Sequence, residues 1–124
     1  MITGVKDVYY NVEDMGRSIA FYRDVLGLTV TDEDPHFTGF NVGGVRFGLH
    51  WTGGSPVPAI PHDAHGSHTG GTLTFQVADI HAAKQSLESH KVPVLGFSEN
   101  PWGSLLTFTD PDGNVLKMAQ PPLA

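Results

Sequence analysis

The sequence predicts an α+β fold built from two βαβββ modules, and three observations carry that reading. The chain is written twice: Val8-Tyr9-Tyr10-Asn11-Val12-Glu13-Asp14-Met15 returns as Leu73-Thr74-Phe75-Gln76-Val77-Ala78-Asp79-Ile80, at a constant offset of 65 residues (8 to 73, 14 to 79). In each copy, period-two alternation gives way to helical spacing at the Asp. A turn-rich segment then separates the copies, as expected of two supersecondary units that bury one core together. Such a pair also predicts a cleft in which a small molecule sits.

The 124 residues suffice for one domain, 1–124, with an N-terminal module over 1–51, a linker over 52–71 and a C-terminal module over 72–124. Thirteen acidic residues against seven basic ones give a net charge of −6 with neutral His, which argues against nucleic acid and anionic membranes as partners. There is no Cys, so disulfides, thiolate metal sites and a Cys nucleophile are excluded. No apolar run approaches a membrane span, and Met1-Ile2-Thr3-Gly4 does not open a signal peptide. The expected location is cytoplasmic.

Each element has its own signal. Val5 to Val12 reads as a strand, with Val8, Tyr10 and Val12 on one face and Asp7, Tyr9 and Asn11 on the other. Asp14 is placed to cap a helix, because its carboxylate accepts from the unpaired N–H groups of the first turn. Met15, Ile19, Tyr22 and Leu26 form the helix's apolar stripe, and Gly27 sits where a left-handed stop is usual. Strands follow at Leu28 to Thr31, Phe37 to Val42 and Val45 to Trp51, the last two joined by the hairpin pair Gly43-Gly44. In the second copy, Leu73, Phe75 and Val77 make a strand and Asp79 caps a helix striped by Ile80, Ala83 and Leu87, which Pro93 bars from running on. Strands at Val94 to Phe97, Leu105 to Thr109 and Asn114 to Ala119 complete it, with the turn Asp110-Pro111-Asp112-Gly113 before the last.

Asn11-Val12-Glu13-Asp14 with Ser18-Ile19-Ala20-Phe21-Tyr22-Arg23-Asp24-Val25-Leu26-Gly27-Leu28, followed at this distance by Asp110-Pro111-Asp112-Gly113-Asn114, resembles the vicinal oxygen chelate superfamily. That superfamily groups glyoxalase I, bleomycin-resistance proteins and extradiol dioxygenases, and Pro101-Trp102-Gly103 before the late turn is closest in style to the bleomycin-resistance members. The resemblance covers nearly the whole chain. It implies that the strands curve as a mixed sheet into a ligand cup, usually in a homodimer.

Metal-dependent members place His, Glu, His and Glu on the cup side of four strands. Carried over by motif, these positions fall on Asp7, Gly48, Thr72 and Lys117. Gly48 has no side chain, Thr72 is a poor ligand, and a Lys ammonium has donors only. His50 shifts the second position by two residues on the same face, but Lys117 still opposes a divalent ion. The expectation is no metal and no cofactor. Asp7 and Lys117 then either pair across the metal's place or are each solvated at the rim.

Strand parity places Tyr9, Arg46 and His50 on the cup side, with Thr74 and Lys117 in the second module. Thr74 is either a lining residue or an ordinary strand Thr. Trp102 either stacks on a planar ligand or packs on a dimer partner. Trp51 has the opposite parity, and Phe37, Phe40, Phe47, Phe75 and Phe108 are assigned to the core. His62, His65 and His68 either cluster on a metal or lie in an exposed polar loop. The candidate ligand-binding set is therefore Asp7, Tyr9, Arg46, His50, Thr74, Trp102 and Lys117, with no catalytic residue assigned. The function expected is binding or sequestering of a small, partly aromatic molecule. The alternative is a metal-dependent or metal-free lyase, isomerase or dioxygenase, with Asp7, His50 and Tyr9 as acid–base groups.

Overall fold

Two four-stranded sheets, each with one helical segment, carry most of this computed structural model, which describes residues 1–122. The last two residues of the predicted 72–124 module lie outside the described residues. The chain divides into two units, 1–58 and 59 onward, a boundary that falls inside the predicted linker.

In the first unit, β1 (Val8–Val12), α1 (Met15–Ala20), β2 (Val30–Glu33), β3 (Phe37–Val42) and β4 (Val45–Trp51) follow the predicted βαβββ order. The sheet order is β1-β4-β3-β2, with β1 parallel to β4 and the rest antiparallel, so the sheet is mixed. β1 begins at Val8, so Asp7 precedes the strand rather than lying within it. The expected single helix is α1 followed by a π-helical turn, Phe21–Val25, which ends where Gly27 takes φ +77°. Tyr22 of the helical segment and Phe40, Phe47 and Leu49 of the sheet are fully buried.

The second unit repeats this with β7 (Leu73–Gln76), α2 (Ile80–Ser89), β8 (Val94–Asn100), β9 (Gly103–Thr109) and β10 (Val115–Gln120), in the order β7-β10-β9-β8. Ile80, Leu87, Leu106, Phe108 and Leu116 form its core. Asp14 Oδ1 accepts from the Arg17 N–H at 3.0 Å, and Asp79 Oδ1 from the Ala82 N–H at 3.1 Å. The two caps share nearly the same backbone angles, as the repeat predicts. The edge strands even break register at matching places, between Val30 and Asp32 and between Val94 and Gly96. In the late turn the buried Asp110 carboxylate accepts from the Asp112 and Asn114 N–H groups and from Asn114 Nδ2, all at 2.9 Å.

The segment between the copies is more ordered than its composition suggests. His62–Asp63 (β5) and Gly66–Ser67 (β6) form a small antiparallel hairpin. Gly66 is buried against β10 at φ +125°, and a Cβ there would lie 2.9 Å from Lys117 Cε. Glycine is needed for both reasons.

Candidate functional site

In each unit the helix covers one face of the sheet and leaves the other open. Hydrogen-bonded register sets what lies across that open face, because directly paired residues share a face. In the first unit one row runs Tyr9, Gly48, Gly39, Asp32. In the second the matching row runs Thr74, Lys117, Thr107, Gly96. Lys117 is thus the structural counterpart of Gly48. Glycines occupy the middle of the first row and its edge position in the second.

The first unit fills its glycine floor with its own side chains. A Cβ at position 48 would collide with the tip of the Phe37 ring, and one at 39 with the Asp32 carboxylate and the Arg46 guanidinium. Phe37 is therefore an open-face residue and not a core one. Tyr9 meets the Phe37 ring edge-on at 6.0 Å between centroids and the His50 ring at 5.5 Å. Arg46 lies 5.3 Å from the Phe37 centroid and holds Asp32 through two hydrogen bonds of 2.5 and 2.9 Å. That pairing pulls the Asp32 carboxyl down to about 2 and raises Arg46 above its ordinary value. The charge of Asp7 adds to the Arg46 shift. So Tyr9, Arg46 and His50 do gather on one face, with Asp7 acting on Arg46 through space. Trp51 points the other way and donates its indole N–H to the Glu13 carbonyl at 3.0 Å.

Sequence reasoning missed Phe37 and Asp32. The signal for Phe37 was available: counting back from the Gly43-Gly44 turn pairs Phe37 with His50, whose face it must share.

The second unit leaves its open face hollow. A cavity of about 250 Å³ is lined by Thr74, Gln76, Trp102, Leu105 and Ala119, among others. Beside it lies a smaller hollow of about 90 Å³, walled by Ala64, His65, Gly96, Ser98, Thr107 and Lys117. Leu105 lines both. Trp102 is 72% exposed, so its indole face is accessible from the cavity mouth. The hairpin roofs the smaller hollow, with the Ala64 carbonyl packed where Gly96 lacks a Cβ.

The three hairpin histidines do not converge. His62 Nδ1 lies 2.7 Å from the Ile60 carbonyl, His68 Nε2 is 2.9 Å from Asp63, and His65 faces the small hollow. The Asp63 carboxyl is held below its usual range, first by the His65 N–H and then by the His68 ring. Among the described residues no three His, Asp or Glu side chains are grouped to hold a metal ion.

The sequence profile of the Glyoxalase/Bleomycin resistance protein/Dioxygenase superfamily matches residues 4–118. The chain belongs to this superfamily. Its fold agrees: the lactoylglutathione lyase of Agrobacterium tumefaciens superposes with a TM-score of 0.72 at 24% identity, covering 97% of this chain and 95% of that one. The fosfomycin resistance protein FosX of Listeria monocytogenes superposes at 0.76 and 16% identity, over 99% and 97%. Among curated proteins, the metallothiol transferase FosB of Staphylococcus haemolyticus is 28% identical over 120 residues, 95% of this chain and 84% of that protein. These superfamily relatives are named for thiol transfer, lyase activity and fosfomycin resistance. None of the three is named for bleomycin, so the reading of this chain as bleomycin-resistance-like has no specific support.

The divalent ion implied by the superfamily does not fit the donors present. Asp7 is the only strong ligand among the four positions. The place beside Gly48 is taken by Phe37, Thr72 is an exposed residue ahead of β7, and Lys117 offers an ammonium.

Proposed function

We propose that this superfamily member binds a small, partly aromatic molecule on the open face of its second unit, without a divalent ion at the superfamily's usual place. The cavity of about 250 Å³ between Thr74, Leu105, Ala119 and Trp102 carries this reading. Its floor is apolar, its mouth holds an exposed indole, and a flat ligand gains most by stacking there. Tyr9, Arg46, His50 and Asp7 shape the first unit's open face and form a second, shallower contact surface.

Titrating planar aromatic compounds into a Trp51→Phe protein tests it, because Trp102 then supplies all tryptophan emission. Saturable quenching is expected, unchanged by added Zn, Ni, Mn or Fe and abolished by Trp102→Ala. No quenching by any aromatic class would defeat the proposal.

A second reading is favoured by the relatives: a metal-dependent enzyme related in activity to the metallothiol transferases. Turnover of fosfomycin with a thiol, dependent on an added divalent ion, would establish it. So would calorimetry showing submicromolar metal binding lost on Asp7→Ala or His50→Ala.

A further inference from the structure

We infer that the ligand is an amphipathic anion: an oxyanion head group held by Lys117 in the small hollow, with a flat or apolar body running over Leu105 to Trp102. The body half rests on the function proposed above; the head-group half does not.

Lys117 is half-buried and makes no hydrogen bond or ion pair within its unit. A charge drawn partly out of water calls for a counter-charge. None is supplied by the strands around it. The open-face positions of β7, β8, β9 and β10, among them Thr74, Gln76, Gly96, Ser98, Thr107 and Ala119, carry no carboxylate. Glu99 lies on the other face and pairs with His81. Asp63, the hairpin's carboxylate, is taken up by the His65 N–H at 2.8 Å and by His68.

Threonines flank Lys117 on both neighbouring strands. Register puts Thr74 on one neighbouring strand and Thr107 on the other. Thr107 is 3% exposed, its hydroxyl meets no partner, and it lines the hollow. Among the described residues no buried side-chain polar atom lacks a partner, so this hydroxyl is open to the hollow, where a ligand oxygen can bond it. Ser98 and His65 add further donors on the remaining walls. One cation among side-chain hydroxyls and an imidazole, with no carboxylate on the walls, is an environment for an anion.

Size decides how much of the ligand enters. About 90 Å³ is the room of roughly three waters, enough for a carboxylate or a tetrahedral oxyanion. It is too small for a whole drug-sized ligand, which needs about 300 Å³ or more. The shared Leu105 gives the rest of the molecule a continuation into the larger cavity. The end of the Lys117 side chain passes over Gly66, in the space a side chain there would occupy.

Benzoate and benzamide separate head group from body, since they share a ring and differ in charge. Their binding is followed by NMR at the Lys117 side-chain nitrogen, the Thr107 amide and the Trp102 indole. Benzoate is expected to move all three signals and to bind about tenfold more tightly than benzamide, which moves Trp102 alone. Lys117→Gln should equalise the two affinities and Lys117→Arg should restore most of the difference, which also shows that loss of folding is not the cause. Equal affinities in the unaltered protein would overturn the inference, as would an unchanged ratio in Lys117→Gln. So would a Lys117 signal that ignores benzoate but shifts on Asp7→Asn. Inorganic phosphate moving Lys117 and Thr107 while neither aromatic compound moves Trp102 would support the anion site and sink the aromatic-binding reading.

Discussion

Arg46 grips Asp32 through both carboxylate oxygens, directly above Gly39. The carboxyl's folded value of about 2 lies below the unfolded one, roughly 3.9. The pair therefore contributes fully above pH ~4, and its contribution is lost as pH falls through about 2. Carboxyl NMR should place the Asp32 midpoint near 2, and Asp32→Asn should flatten the stability loss between those limits. Because both side chains are substantially exposed, salt should weaken the effect.

Phe37 and Gly48 share one space. Gly48→Ala should destabilise by about 1–3 kcal/mol through overpacking. Adding Phe37→Ala should recover much of that, since the ring is what the new methyl meets. Urea unfolding of the two single variants and the double variant measures the coupling, and strict additivity would refute the shared space.

Asp14 and Asp79 cap equivalent helices with equivalent bonds. Each Asp→Ala change should cost about 1 kcal/mol, and the two costs should match closely. Thermal unfolding gives both values.

Among the described residues each four-stranded sheet ends on two strands paired on one side only, β1 and β2 in one and β7 and β8 in the other. Open edges invite cover. We propose a homodimer closed by a two-fold axis. Light scattering at micromolar concentration should give twice the chain mass; a monomer mass would exclude it.

Much of this protein could be read from the chain because the relevant physics is local. Period-two parity placed Tyr9, Arg46 and His50 on one face and Trp51 on the other. The 65-residue repeat located both capping aspartates, and Gly27 announced its own left-handed turn. These follow from backbone geometry over a few residues. Tertiary structure decided what fills the space above each glycine. Phe37 turns onto Gly48, Arg46 reaches Asp32 across Gly39, and Ala64 closes over Gly96. The segment from 62 to 67, polar and rich in turn residues, became a hairpin packed on Lys117 because β10 offered it a surface. Such choices depend on neighbours many residues away, whose competition for one volume no local period encodes. The same competition left the first open face filled and the second hollow, and so put the candidate site beside Lys117.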